Sequence, residues 1–192
     1  MNYDIYILQH KLSKILTEKR FYHSLGVQAM SLSLAARYGG DCDKAILAGL
    51  LHDCAKNLKN EVLLSECEKY DLGISEVERR NVYLLHGKLG AYYASQKYNI
   101  TDKEVLSAIV YHTTGKPDMA LLEKILFVAD YIEPGRGADR IPELNTIRET
   151  AFSDLDKAVL LILSNTLSYL EEKGQEIDEM TKRAYEFYKN RF

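Results

Sequence analysis

Leu50-Leu51-His52-Asp53-Cys54-Ala55-Lys56 is a short apolar run that ends in an adjacent imidazole and carboxylate. On a helix, neighbouring side chains diverge by roughly 100°, so His52 and Asp53 cannot hold one small ligand as a bidentate pair. They can serve one metal site, or two adjacent sites spanned by the carboxylate, if other parts of the chain supply further nitrogens and oxygens. His23, His86, His112 and Asp130 are such groups, each set in a helical apolar pattern. The expected fold is therefore one in which separate helices converge on Asp53.

Upstream, Ile5, Leu8, Leu12 and Ile15 recur at three- and four-residue steps and predict an amphipathic helix, with His10 off its stripe and in solvent. A second helix from about Arg20 carries His23, Val27, Met30 and Leu34 on one face. Gly39-Gly40 ends it, and Asp43 is the expected N-cap of the helix that runs into His52 and Asp53.

Downstream, a turn over Asn57 to Asn60 leads to a helix from about Glu61 to Tyr70, with Val62 and Leu63 inward. Ser75 with Glu78 forms a capping box for a helix leading to Leu84-Leu85-His86-Gly87, after which Gly90, Ala91 and Ala94 leave one helical face nearly bare. Thr101 with Glu104 is a second capping box, opening a helix that ends in His112 before Thr113-Thr114-Gly115. From Met119 to Tyr131 a strongly apolar helix holds one inward carboxylate, Asp130. Further helices are expected over Pro142 to Thr150, Asp154 to Lys173 and from about Asp178. No period-two strand pattern and no internal repeat is visible, so the fold class is all-α. The chain is expected to be a single domain, 1–192, with a metal-binding core of about 18–135 and C-terminal helices of about 142–192.

The composition narrows the function classes. A net charge of -3 with scattered Lys and Arg gives no electrostatic footprint for a nucleic-acid duplex. Cys42, Cys54 and Cys67 form no CxxC pair and cannot all pair with one another, which argues against a disulfide scaffold and for a reducing, cytoplasmic location. The opening Met1-Asn2-Tyr3-Asp4 lacks a basic region followed by a long apolar one, so no secretory signal is expected, and the apolar runs are too short for a membrane span. The partners expected are a nucleotide-sized small molecule, no duplex and no membrane, with a homodimer left open.

Four histidines and two aspartates make a mixed imidazole and carboxylate set, which suits iron, manganese, cobalt, nickel or zinc better than magnesium or calcium. Six ligands exceed what one catalytic metal takes if positions stay open for water and substrate. Two metals sharing Asp53 solve the count, at a spacing of about 3.5 to 4 Å as in two-metal hydrolytic sites that activate water. The expected allocation is His23, His52, Asp53 and Asp130 on one metal, with Asp53, His86 and His112 on the other. Lys56, a helical turn beyond His52, can meet a phosphate as a point charge, and Arg136, in the Glu133-Pro134-Gly135-Arg136-Gly137 loop, can take one bidentately. Lys88, Thr113 and Thr114 are weaker candidates for substrate contact. Any one of these histidines could be an ordinary core residue, and single surface cations are usually solvated. The joint occurrence of four of the five histidines and Asp130 at apolar helix positions points to a metal site.

The spacing of these residues resembles the HD-domain metal-dependent phosphohydrolases, whose pattern is H, HD, H, H and D on successive helices. His52-Asp53-Cys54-Ala55-Lys56, His86-Gly87-x-x-Gly90-Ala91, Tyr111-His112-Thr113-Thr114-Gly115 and Ala129-Asp130-Tyr131-Ile132-Glu133-Pro134-x-Arg136 are similar to the bacterial YqeK family, over nearly the whole chain. The resemblance implies an HD-domain helical bundle and a di-iron type centre; from the residues themselves, Asp53 and Lys56 are the expected catalytic pair. The resemblance also implies symmetrical hydrolysis of diadenosine tetraphosphate to two ADP. The chain departs from the family pattern after Arg136, where Gly137-Ala138-Asp139-Arg140-Ile141-Pro142 replaces an aromatic-Pro-Gly segment. The competing readings are an HD-domain nucleotidase acting on mononucleotides and a non-catalytic, metal-dependent nucleotide-binding protein.

Overall fold

The computed structural model of the protein describes residues 3–139 and 141–192; Met1 and Asn2 of the opening segment and Arg140 of the loop lie outside the described residues. Among the described residues there are eleven α-helices, one 3-10 helix and no strand. In chain order they are α1 (Ile5–Ser13), α2 (Glu18–Tyr38), α3 (Cys42–Leu51), α4 (Asn60–Lys69) and α5 (Glu76–Arg80), then the 3-10 helix (Val82–Leu85). There follow α6 (His86–Tyr98), α7 (Lys103–Tyr111), α8 (Leu121–Ile132), α9 (Leu144–Ala151), α10 (Leu155–Glu172) and α11 (Glu179–Lys189).

Most helices begin where a short polar side chain takes over an orphan backbone N–H, a contact worth about 1 kcal/mol. Asp4, Asp154 and Asp178 do this for α1, α10 and α11, and Ser75 with Glu78 forms the full reciprocal box at α5. Two caps differ from the sequence reading. Asp41, extended directly after Gly39-Gly40, accepts from Lys44 N and starts α3 two residues before Asp43. Asp102, not Thr101, accepts from Glu104 N and Val105 N at the head of α7.

Three further expectations give way to packing. The α1 stripe continues into Leu16, which is buried, while Ile15 is 49% exposed because the helix has ended at Ser13. In α4, Leu63 is buried and Val62 faces solvent. The expected single helix into His86 breaks at Asn81 and restarts through the 3-10 helix, so that His86 opens α6 rather than closing a longer helix.

α8 lies at the centre, packed against α2, α3, α7, α9 and α10. Ile125, Leu126, Phe127, Val128, Ala129 and Ile132 on it are all buried. Each large apolar side chain so removed from water stabilises the fold by about 1.5 to 3 kcal/mol, and together they fix the helix that carries Asp130. α2 and α3 approach closely because Gly49 has no side chain: a Cβ there would lie 2.8 Å from Gln28 Cα and 2.9 Å from Val27 O. That approach brings the His23 face of α2 to the end of α3.

Candidate metal centre

The decisive local feature is how α3 ends. His52 is its C-cap, and His52 to Asn57 form successive turns rather than further α-helix. Their hydrogen bonds reach back three residues, from Cys54 N to Leu51 O at 3.1 Å and from Lys56 N to Asp53 O at 2.9 Å. At three residues per turn, side chains i and i+3 eclipse. Lys56 therefore shares a face with Asp53, not with His52 as a continuous α-helix would have it. His52 points into the protein, fully buried, while Asp53 and Lys56 line a cleft.

All six ligand candidates converge there. His23 Nε2 lies 3.3 Å from His52 Nε2 and 3.0 Å from Asp130 Oδ1. On the other side His86 Nε2 is 3.1 Å from His112 Nε2. Asp53 lies between the two sides: Oδ1 is 3.2 Å from His86 Nε2 and 3.6 Å from His112 Nε2, and Oδ2 is 3.7 Å from His52 Nε2. Two compact triads result, His23–His52–Asp130 and His52–Asp53–His112. His52 belongs to both, whereas the sequence reading assigned it to one side, because the end of α3 sets its ring about 5 Å from those of both His23 and His112.

The chemistry of the donor set fits a divalent metal. His52 Nδ1 donates to Gly49 O at 2.8 Å, His112 Nδ1 to Ile109 O at 2.7 Å, and His86 Nδ1 to Tyr83 O. A carbonyl only accepts, so each of these rings carries a proton on Nδ1 and turns Nε2 inward toward the other ligand candidates. Burial pushes His52 and His86 down to about 4, leaving both neutral near pH 7. Burial works against ionisation of Asp53, yet His52, His112 and His86 outweigh it and hold this carboxyl well below its usual range. Asp130 is lowered likewise, burial being overcome by its bond to His23 and by the Arg136 guanidinium. With metal–nitrogen bonds of about 2.0–2.1 Å, two ligands on one cation stand roughly 3 Å apart, and the Nε2 pairs at 3.1 and 3.3 Å have that separation.

Around the ligands lies a layer that the sequence reading did not assign. Glu133 Oε1 accepts from His23 Nδ1 at 3.0 Å, the carboxylate–histidine arrangement that orients a metal ligand. Burial of His23 lowers its basicity, but bonds to Asp130 and Glu133 outweigh this and raise it to about 9. Gly26, one turn along α2, leaves the space in which Glu133 Oε2 sits. Arg20 Nη1 is 3.5 Å from Asp53 Oδ2. The signal for Glu133 was present in the sequence, since it lies three residues beyond Asp130 and so on the same side of α8.

The substrate-contact candidates divide. Lys56 Nζ lies 2.9 Å from His86 Nε2, and Arg136 Nη2 lies 2.7 Å from Asp130 Oδ1. Thr113 Oγ1 is 3.2 Å from His112 Nε2, so it borders the ligands. Thr114 donates instead to Gly115 O at 2.9 Å. Lys88, two residues past His86 on α6 and so turned away from it, is held by Glu78 at 2.7 Å and Gly73 O at 2.6 Å and does not join the cleft. The cleft has a volume of about 1030 Å³ and opens onto His23, Asp53 and Asp130, with Lys19, Arg20, Lys56 and Arg136 on its walls.

Residues 20–135 match the HD domain family model. The chain belongs to the HD-domain family. Membership implies dependence on a divalent metal, and the two His/Asp triads could hold it. Among HD-domain relatives, the symmetrical bis(5'-nucleosyl)-tetraphosphatase of Halalkalibacterium halodurans is 43% identical, over 88% of this chain and 89% of that one. The protein of the same name from Bacillus subtilis is 36% identical, over 88% and 89%. The crystal structure of a protein from Clostridium acetobutylicum, named as a predicted HD superfamily hydrolase involved in NAD metabolism, superposes with a TM-score of 0.94 at 39% identity, covering 99% of both chains. The likeness to that structure thus extends beyond the span of the HD-domain match to α9, α10 and α11. Among the described residues no helix is long and apolar enough to cross a membrane.

Proposed function

We propose that this chain hydrolyses dinucleoside polyphosphates, cleaving diadenosine tetraphosphate symmetrically into two ADP. The observation that carries this reading is the cleft of about 1030 Å³, in which four cations flank the convergent ligands. A chain of four phosphates is long and highly anionic, and it needs neutralisation on both sides of the phosphorus under attack. Lys56 stands on the His86 side, while Arg136 stands beside Asp130 at the opposite edge. Arg20, next to Asp53, and Lys19 extend the cationic wall. The symmetrical relatives, at 36–43% identity over most of the chain, support the same substrate.

When bound, a pair of divalent metals would supply Lewis-acid polarisation of the phosphoryl group and acidify a water at neutral pH. His23, His52 and Asp130 would hold one and His86 and His112 the other, with Asp53 available to both, iron being the first candidate and manganese, cobalt, nickel or zinc also suited to these ligands. Asp53, whose carboxyl is held well below its usual range, would keep its charge as it faces both metals. Lys56 and Arg136 bind the flanking phosphates and stabilise the negative charge that builds on the ADP leaving group as its bridging P–O bond breaks. Water adds to the attacked phosphorus, so both products leave as ADP and one carries the new oxygen.

We read the chain as one domain, a core of about 18–135 with C-terminal helices from about 142, on the support of α10 packed against α8. The free thiols of Cys42, Cys54 and Cys67 fit a cytoplasmic location. The deciding experiment is chromatography of early products from diadenosine tetraphosphate with Mn²⁺ or Fe²⁺ in ¹⁸O-water. ADP alone, labelled once per cleavage, is expected. ATP with AMP, or phosphate release from mononucleotides without turnover of the dinucleotide, would overturn the assignment.

A further inference from the structure

We propose that Arg148, on α9 and outside the span that matches the HD-domain model, is a positioning residue for the metal centre. This rests on the metal-centre reading above but not on the identity of the substrate. Arg148 Nε donates to Ile132 O at 3.0 Å, and its Nη2 donates to both Glu133 O and Arg136 O at 3.0 Å. Ile132 is the last residue of α8, where carbonyls have no partner within the helix. One guanidinium therefore caps the helix that bears Asp130 and also pins both ends of the Glu133–Arg136 turn, itself closed by Arg136 N to Glu133 O at 3.0 Å.

The side chains of the two pinned residues act on the same half of the centre. Glu133 orients His23 through its Nδ1, and Arg136 grips Asp130 through Oδ1 at 2.7 Å and the main-chain carbonyl at 3.0 Å. His23 and Asp130 are two members of one triad. Each is thus held by a residue whose backbone Arg148 holds in turn. Arg148 is fixed from behind, because Leu144, Ile147 and Ala151 of α9 are buried. The duty suits arginine: a planar fork of five N–H donors can reach three carbonyls at set angles, whereas a lysine ammonium is a point charge on a flexible stem.

Calorimetric titration of the full metal-free chain with Co²⁺ tests this without any substrate. Arg148→Met is expected to weaken at least one equivalent of Co²⁺ by about tenfold or more, the scale on which outer residues tune a metal site. Arg148→Lys should recover part of the loss. In a chain already carrying Glu133→Ala and Arg136→Ala, adding Arg148→Met should cost less than about twofold more, because the side chains through which it acts on His23 and Asp130 are gone. Unchanged Co²⁺ affinity in Arg148→Met, even with a lowered melting temperature, would overturn the proposal, as would an undiminished effect in the double-variant background. If Arg148→Met does not fold, Arg148→Lys serves instead, and wild-type Co²⁺ affinity in it rejects the need for the fork. A failure of the substrate reading would appear separately, as an absence of ADP from the wild-type chain.

Discussion

Gly26 and Glu133 occupy complementary space: the position a Cβ would take on Gly26 is filled by Glu133 Oε2, the carboxylate that also receives Gly135 N and, through Oε1, His23 Nδ1. A glycine in the middle of α2 costs roughly 1 kcal/mol of helix propensity relative to alanine, so its presence there points to the carboxylate it admits. Gly26→Ala should regain that propensity while forcing Glu133 off His23. The expected result is a metal-free melting temperature near wild type together with metal affinity reduced by about tenfold, read by differential scanning calorimetry and metal titration. Wild-type affinity would mean that Glu133 does not orient His23.

Asp53 faces both sides of the centre, with Oδ1 toward His86 and His112 and Oδ2 toward His52. Asp53→Asn keeps the shape and removes the charge. Loss of metal from both halves is expected, with kcat/KM falling by at least a hundredfold, since a loss of roughly 3 kcal/mol is a modest figure for an uncompensated buried site. Elemental analysis beside initial rates checks it. Retention of two equivalents with near-normal turnover would remove the spanning role.

Lys56 touches His86 but cannot ligate a metal while protonated. Lys56→Met, which preserves the stem, should keep metal content and lower kcat/KM about tenfold to a hundredfold, matching the roughly 1.5 to 3 kcal/mol of a charge-assisted phosphate contact. Equal kcat/KM in the variant and wild type would return Lys56 to a packing role beside His86.

Metal should also stabilise the fold, because the Nε2 atoms of His86 and His112 stand 3.1 Å apart, the separation of two ligands on one cation. A metal present at a hundred times its Kd adds about 2.7 kcal/mol, which for a chain of this size raises the melting temperature by roughly 5 to 10 °C. Thermal melts with chelator and with saturating Mn²⁺ compare the two states. Coincident melts at saturating metal would separate the histidine cluster from metal binding.

The helices and the ligand types were legible in the sequence because both follow from local rules. The apolar steps through Val27 and Leu34 give α2, the Ser75–Glu78 box gives the start of α5, and a carboxylate in an otherwise apolar helix marks Asp130. Local competition misled the reading where two neighbours offered the same chemistry, as with Asp41 over Asp43 and Asp102 over Thr101. There the winner is the extended residue directly before the first helical turn, a position that residue type alone does not encode.

What the sequence determined by itself was an all-α chain with six residues of metal-ligating type set in apolar helical patterns, because periodicity and side-chain chemistry are properties of short windows. Only the tertiary structure decided how those ligands divide. The turns after α3 put Lys56 beside Asp53, and the close approach at Gly49 made His52 common to both triads. It also turned Lys88 away to Glu78 and brought Arg148 from α9 to the carbonyls at the end of α8. These are contacts between residues far apart in the chain. Their geometry is fixed by how whole helices pack, and a sequence window contains no information about the direction from which a distant helix arrives.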